Sequence, residues 1–225
     1  VVRHAVENSD RPAIHLGNVF HMGEDGTSAV DIDLQSLAMH TFVTGTTGSG
    51  KSNTVYHLLN ELLKRGLGFL VVEPAKGEYK NIFGGVQGVR VFGTNANLMD
   101  LFHIDPFAFG SKIHILEHID KLMEIFKACW SMYAAMPSLL KQALVRCYEE
   151  KGWDVERSVN YEGRIFPGFQ DLLRVLPEII AESDFEGEVK GNYVGALVER
   201  VRELTEGIER QVFSGAAVPD DVLFD

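Results

Sequence analysis

The stretch Gly45-Thr-Thr-Gly-Ser-Gly-Lys-Ser52 decides the fold of this chain. It satisfies the pattern G-x-x-x-x-G-K-[ST] at every fixed position. Upstream, residues 40–44 (HTFVT) form a β-branched and aromatic run that predicts a buried strand. Downstream, residues 53–65 carry apolar side chains at helical spacing, and Gly66 follows as a stop signal. A strand, a glycine-rich loop and a helix in this order predict a phosphate-binding loop in an α/β fold.

The residue types of this loop suit a nucleoside triphosphate. Glycines without a Cβ allow the backbone to turn tightly, so that loop amides and the helix N-terminus face an anion. Lys51 is expected to reach the β- and γ-phosphates, and the Ser52 hydroxyl is expected to ligate Mg²⁺. The alternative is a glycine-rich turn that binds nothing. The predicted residues for ATP and Mg²⁺ are Gly45, Thr46, Thr47, Gly48, Ser49, Gly50, Lys51, Ser52 and Asn53, with Ser52 as the metal ligand.

Composition and charge limit the classes of function. The chain has 225 residues, and 45% of them are apolar, which is ample for a buried core. Its net charge is −11, and residues 149–225 hold 18 acidic and 8 basic side chains. This balance argues against a broad nucleic-acid-binding face on that third of the chain, although a few basic loops lining a channel are compatible with it.

Several features predict a cytoplasmic protein that is a piece of a longer chain. No apolar run approaches the ~18 residues of a membrane span, and no signal peptide is visible. Cys129 and Cys147 are expected to be free thiols packed within helices rather than a disulfide. The chain begins with Val1 instead of methionine and breaks off at Val222–Asp225, which suggests a fragment.

Strand-like runs dominate the first half of the sequence. Residues 1–38 are predicted to form an N-terminal segment with short strands at Ala13–Gly17 and Val30–Leu34. Residues 39–110 are predicted to form the first half of an α/β core. Its predicted strands are Thr41–Val43, Gly68–Val72 and Gly88–Phe92. Apolar strands that alternate with helices predict a mainly parallel sheet covered on both faces.

Helical periodicity replaces this pattern from Ser111. Residues 111–205 are predicted to form a helical insertion without an interrupting strand, and residues 206–225 to return towards the core. Pro177 predicts that the third helix of the insertion is divided or kinked. The four predicted helices are Ile113–Trp130, Pro137–Gly152, Phe169–Ala181 and Glu188–Thr205.

Two carboxylates follow the predicted strand Gly68–Val72. Glu73 stands where a metal-binding carboxylate can stand, but on the strand directly after the P-loop helix rather than on a later one. It therefore either contacts Mg²⁺ or water, or fixes the loop. Glu78 lies in a polar, glycine-containing segment at the carboxyl end of the strand, where ligands bind in such sheets. It is a candidate active-site residue, and a solvated loop carboxylate is the alternative.

Three arginines stand out within the acidic region. An arginine supplied by a neighbouring subunit can stabilise charge on a transferring phosphoryl group, and Arg200 is the first candidate for that role. For Arg200, Arg202 and Arg210 the alternative is salt bridges with nearby glutamates of the same helix. His114 and His118 share a helix face, but no third ligand is evident, so packing is favoured over zinc binding.

Beyond the phosphate loop, the sequence resembles HerA-type ATPases of the HerA/FtsK superfamily. The resemblance is carried by residues 40–52 (HTFVTGTTGSGKS) and by residues 71–79 (VVEPAKGEY). It continues through residues 195–202 (GALVERVR), so it extends from about Ile14 to Phe224. Such ATPases are RecA-like motors that form hexameric rings and drive duplex DNA through the central channel. Many work with a nuclease, in DNA end processing or in defence against phage.

The resemblance implies the usual nucleotide roles for Lys51 and Ser52, and it places Glu73 and Glu78 in the site. Two departures matter. Many relatives carry Asp in place of Glu73, and the Glu-Pro-Ala-Lys-Gly segment is one residue longer than the commoner Asp-Pro-x-Gly. No Walker B strand is recognisable before Asp225. A chain with this end is expected to bind ATP, and hydrolysis is expected of the full-length protein.

The sequence thus predicts a RecA-like P-loop NTPase with an α-helical insertion, acting as the ATP-binding domain of a ring-forming DNA translocase. Its expected partners are further copies of itself, duplex DNA and a nuclease or defence effector, with no membrane. Two alternatives come from other classes. A regulatory or scaffold module would bind ATP without motor activity, and the missing Walker B strand favours it. A kinase would need an acceptor site and a lid, and neither is visible.

Overall fold

A computed structural model describes residues 12–74, 76–95 and 97–213 of the chain. The chain divides into two compact units between Val91 and Phe92. The N-terminal unit contains the glycine-rich loop, and the second unit contains most of the helices. Residues 1–11 and 214–225 lie outside the described residues. They include the start of the predicted N-terminal segment (1–38) and most of the predicted returning segment (206–225).

A β-hairpin opens the N-terminal unit. Strands β1 (Ala13–His21) and β2 (Glu24–Asp33) pair antiparallel, with Met22 and Gly23 at the turn. Strand β1 contains the predicted strand Ala13–Gly17, and β2 contains the predicted strand Val30–Leu34 except for Leu34, which begins the next helix. The hairpin is followed by helices α1 (Leu34–Leu37), α2 (Lys51–Lys64) and α3 (Tyr79–Phe83).

Helix α2 is fastened to the hairpin by two hydrogen bonds. His57 Nε2 donates to the carbonyl oxygen of His15 at 2.6 Å, and Arg65 Nη2 donates to that of Ala13 at 3.1 Å. Between these anchors, Ile14 on β1 is fully buried, and Leu58 and Leu59 on α2 are also buried. The helix that follows the glycine-rich loop is therefore held against a β-hairpin.

The predicted mainly parallel sheet is not formed among the described residues. The runs Thr41–Val43 and Gly68–Val72 have no strand pairing, and Phe42 and Val72 are 89% and 81% exposed. Of the third predicted strand, only Phe92 is paired. Apolar and β-branched residues favour a strand, but a strand exists only where a neighbour satisfies its amides and carbonyls. Local sequence cannot supply that neighbour, so the predicted strands were wrong for these segments.

The second unit begins with a short parallel pair, β3 (Phe92–Gly93) and β4 (Asp100–Leu101). The helices α4 (Ile115–Cys129) and α5 (Met136–Glu150) follow, then a small antiparallel pair, β5 (Trp153–Asp154) and β6 (Val159–Asn160). The remaining elements are α6 (Phe169–Glu182), α7 (Gly187–Tyr193), a π-helical turn (Val194–Val198), α8 (Glu199–Glu203) and α9 (Gly207–Val212).

One prediction for the helical region needs correction, and of the two forms considered for the third helix, divided or kinked, the divided one is excluded. The strand pair β5–β6 interrupts the region that was predicted to be helical throughout. Trp153 holds this pair in place, since it is buried and its indole N–H donates to the Ile165 carbonyl oxygen at 2.6 Å. Helix α6 continues through Pro177 as one helix. Proline removes one helical hydrogen bond, but burial of Val175, Leu176 and Ile180 on the same helix offsets that loss.

Apolar faces of α4, α5 and α6 form the core of the second unit. The phenol of Tyr148 is buried there and donates to the Phe107 carbonyl at 2.6 Å. Both cysteines are free, as predicted. Cys147 is buried, and burial raises the pKa of its thiol to about 12, so the thiol stays protonated. Cys129 is exposed, against the expectation that it would be packed.

Ala134 lies just before α5 in the left-handed backbone region, with φ of +49°. Such a conformation costs an L-residue about 1–2 kcal/mol. Glycine avoids this cost, but it also increases the conformational entropy of the unfolded chain. We therefore expect Ala134→Gly to raise the free energy of unfolding by about 0.5–1 kcal/mol in urea denaturation. The control, Ala128→Gly on the exposed side of α4, should lower it by up to about 1 kcal/mol. Equal destabilisation by both changes would contradict the assignment of strain to Ala134.

Candidate functional site

The loop at residues 45–50 has the backbone geometry that its glycines predict. Gly48 and Gly50 have φ of +79° and +89°, a region that side-chain-bearing residues rarely adopt. Gly50 is the last residue before α2 and forms its N-cap. At Gly45 a Cβ would lie 2.5 Å from the Ser49 hydroxyl oxygen, so a larger residue at this position would require the Ser49 side chain to move.

The Lys51 side chain folds back over this loop. Its Nζ donates to the carbonyl oxygens of Gly45 at 2.8 Å and of Thr46 at 2.7 Å. An ammonium group has three donors, and both acceptors here are neutral carbonyls. A polyphosphate anion would be a stronger partner for the ammonium than neutral carbonyls, because it carries the opposite charge. The side chain is thus held at the loop by neutral acceptors that an anion can replace.

The N-terminus of α2 adds further donors. No side chain caps this helix, and the first amides of a helix have no partner within it. Its 14 residues give a helix dipole whose positive end lies at the loop. Thr46, Thr47, Ser49 and Asn53 are exposed, and Ser52 lies in the first turn of the helix.

These groups match the chemistry of a magnesium–nucleotide complex. The ammonium of Lys51 and the helix-start amides are donors for phosphate oxygens, and the Ser52 hydroxyl is an oxygen ligand of the kind that Mg²⁺ prefers. The loop from Thr46 to Ser49 is exposed, so a ligand can reach it. The residues predicted from the sequence therefore lie together at one end of α2.

Glu73 holds the segment that leads into α3. Its Oε1 accepts the amide hydrogen of Glu78 at 2.9 Å, and its Oε2 accepts that of Tyr79 at 3.1 Å. Both carboxylate oxygens thus have backbone partners, as in a side chain that organises a loop. Of the two roles considered for Glu73, these bonds support the loop-fixing one.

Glu78 lies beside the helix that follows the phosphate loop. Its Oε2 is 3.5 Å from the hydroxyl oxygen of Tyr56 on α2, and its Oε1 is 3.7 Å from Lys76 Nζ. Tyr56 follows Ser52 by four residues, so the two side chains share one face of the helix. The segment that carries Glu78 is thereby brought to the first two turns of α2.

Aromatic rings pack this segment against α2. Tyr56 meets Tyr79 edge-on with ring centres 4.8 Å apart, and it meets Phe83 at 6.2 Å. Phe83 is buried and also contacts Phe69 at 5.8 Å. Edge-to-face pairs of this kind each add to the stability gained from burial. Tyr56 was not among the residues predicted from the sequence, although its spacing of four residues from Ser52 is a usable signal.

Arg200 and its neighbours lie in the second unit. Arg200 Nη1 donates to the Ser131 carbonyl oxygen at 3.0 Å. Arg202 pairs with Glu199 at 3.3 Å, as the salt-bridge alternative predicted. The contact of Arg200 is to a neutral carbonyl, and a role for this residue across a subunit boundary stays a prediction.

The histidines of α4 have packing and capping roles. His114 Nδ1 accepts the amide hydrogen of Leu116 at 3.2 Å and so caps the helix. The ring of His118 lies against that of Phe109, and its Nε2 donates to the Pro106 carbonyl at 3.1 Å. Burial lowers the pKa of His118. In the part of the chain that the structure describes, no group of three or more His, Cys, Asp or Glu side chains is placed to hold a metal ion.

Comparison with known families decides which class of P-loop protein this is. The sequence matches the family described as "Helicase HerA, central domain" over residues 14–164, which is more than half of the chain. The chain belongs to this HerA family. Comparison with curated proteins and with solved structures found no match. The family match includes the phosphate loop, Tyr56, Glu73 and Glu78, and it ends before α6.

Membership of the HerA family has three direct consequences. The chain is a domain of the ATPase type, and family membership implies a P-loop NTPase-like α/β fold and nucleotide binding. The resemblance predicted from the sequence is confirmed for residues 14–164.

Among the helices within residues 12–74, 76–95 and 97–213, none has the length and apolar content needed to cross a membrane.

Proposed function

We propose that this HerA-family domain is the ATP-binding part of a ring-forming translocase that couples ATP hydrolysis to movement of duplex DNA. The observation that carries the proposal is the geometry at Lys51, whose ammonium lies against the carbonyls of Gly45 and Thr46 beside the uncapped start of α2. Family membership supplies the class of ATPase. In this proposal the core is RecA-like, the ring is hexameric, and the protein works in the cytoplasm.

Each site residue has a proposed role in ATP binding and hydrolysis. Lys51 and the loop amides hold the phosphate chain, and Ser52 provides a hydroxyl ligand for Mg²⁺. The bound metal would neutralise charge on the phosphates. Glu73 keeps the segment of Glu78 in place through the amides of Glu78 and Tyr79. Glu78 is the candidate for contacts to water near the phosphates.

Partners outside this chain complete the proposal. A neighbouring copy would supply Arg200 to the phosphates, as arginines do in other phosphoryl-transfer enzymes. Further carboxylates would orient the attacking water. A nuclease or a defence effector would use the translocated DNA, in repair or in defence against phage.

ATP hydrolysis by the intact protein should rise when duplex DNA is added. The motor proposal requires this coupling, because a translocase hydrolyses ATP faster when DNA lies in its channel. Steady-state phosphate release, measured with and without linear duplex DNA, tests it. Tight ATP binding without turnover under both conditions would contradict the motor and favour a regulatory or scaffold module.

A further inference from the structure

Tyr56 occupies a position between two groups that the proposed mechanism uses. It lies one turn after Ser52 on α2, and its hydroxyl oxygen is 3.5 Å from Oε2 of Glu78, 22 residues further along the chain. At this distance the contact is weak, but a small rotation of either side chain would shorten it to the usual length of a hydroxyl bond. Tyr56 thus links the start of α2 to the segment that carries Glu78.

The Tyr56 ring packs against two aromatic rings of α3. The rings of Tyr79 and Phe83 pack edge-on against it at 4.8 and 6.2 Å. Glu73 in turn holds the backbone amides of Glu78 and Tyr79. The half-buried phenol therefore meets Glu78 within a packed arrangement rather than as a solvated side chain.

The hydroxyl of Tyr56 has the right chemistry to connect its two neighbours. A phenol donates one hydrogen bond and accepts others, whereas an ionised carboxylate only accepts. Tyr56 must then donate to Glu78, and its oxygen remains free to accept from the Ser52 hydroxyl. Burial raises the pKa of Tyr56, and Glu78, Tyr79 and Glu73 add to the rise, while a side-chain hydrogen bond with Ser52 opposes it.

We propose that Tyr56 is a positioning residue that orients the Ser52 hydroxyl for the metal and holds the Glu78 carboxylate at the phosphate site. A hydroxyl that ligates a cation through its oxygen must direct its proton elsewhere, and the Tyr56 oxygen is an acceptor on the same helix face. This inference rests on the proposed function, because it assumes that Ser52 ligates a nucleotide-bound metal. Nothing in it requires Tyr56 to contact substrate.

The test compares Tyr56→Phe with Tyr79→Phe in the intact protein. Each change removes one phenol hydroxyl and keeps the ring pair. Binding of a non-hydrolysable ATP analogue is measured by calorimetry over a series of Mg²⁺ concentrations and in EDTA. We expect Tyr56→Phe to raise the Mg²⁺ concentration for half-maximal binding by about threefold to tenfold, and to leave binding in EDTA unchanged. Tyr79→Phe should match the wild type.

A double substitution separates positioning from packing. If Tyr56 acts through Glu78, then Tyr56→Phe and Glu78→Gln should each shift the Mg²⁺ requirement, and the double variant should shift it no further than the larger single change. Additive shifts, or an unchanged requirement in Tyr56→Phe, would overturn the inference while leaving nucleotide binding intact. Absence of analogue binding in the wild type would instead overturn the proposed function, and this inference with it.

Discussion

Replacing Lys51 with alanine is expected to reduce ATP hydrolysis by the intact protein at least about 100-fold. The change removes the ammonium that lies against the carbonyls of Gly45 and Thr46 in the loop. No other described side chain places a cation on these two carbonyls. The loss should appear in kcat as well as in nucleotide affinity, because charge on the transferring phosphoryl group needs the same cation.

Lys64→Ala is the matched control for this experiment. Lys64 is exposed at the far end of the same helix and pairs with Glu61 at 2.8 Å. Its loss should leave hydrolysis close to the wild-type rate, since an exposed ion pair contributes only ~0.2–1 kcal/mol to stability. Hydrolysis by Lys51→Ala within about threefold of the wild type would contradict the assignment of the phosphate site.

Replacing Glu73 with alanine is expected to release the segment that carries Glu78. The amides of Glu78 and Tyr79 would lose the acceptors that this carboxylate provides, and hydrogen bonds to a charged group are worth about 1.5–3 kcal/mol each when formed. After an allowance for partial exposure, we expect local opening to become easier by about 2–3 kcal/mol. Hydrogen exchange at these two amides, followed by mass spectrometry or NMR, should accelerate by about 30- to 150-fold.

The isosteric change Glu73→Gln provides an internal comparison. Glutamine keeps one acceptor oxygen, so exchange at one of the two amides should remain slower than in the alanine variant. If both variants exchanged these amides at the wild-type rate, the carboxylate would not hold the segment. A wild-type exchange rate with lost hydrolysis would instead assign Glu73 a direct role at the metal or water.

The parts of the site that sequence alone could predict are those encoded by neighbouring residues. The left-handed turns at Gly48 and Gly50 and the start of α2 follow from a short local pattern, because the conformational range of glycine and helical periodicity act within a few residues. The long helices α4 and α5 were predictable for the same reason. Their apolar faces repeat at helical spacing over several turns.

Features that depend on distant residues were not predictable. The run Gly68–Val72 resembled a buried strand, yet pairing depends on a partner strand that its own composition does not specify. The contact between Tyr56 and Glu78 joins residues 22 apart, and the Ser131 carbonyl is 69 residues from Arg200. Similarly, the hydrogen bonds of Glu73 form only because the backbone after residue 73 turns so that the amides of Glu78 and Tyr79 face the Glu73 carboxylate. Sequence pattern identified Glu73, Glu78 and Arg200 as candidates but not Tyr56, and only the fold gave these side chains partners.

Calorimetric titration of the folded protein with ATP in the presence of Mg²⁺ tests the central claim most directly. We expect a heat of binding that fits one site per chain and that disappears in Lys51→Ala, while a circular dichroism spectrum shows that the variant remains folded. Absence of any binding heat with adenine or guanine nucleotides at millimolar concentrations would contradict it. Equal binding by Lys51→Ala would contradict it as well.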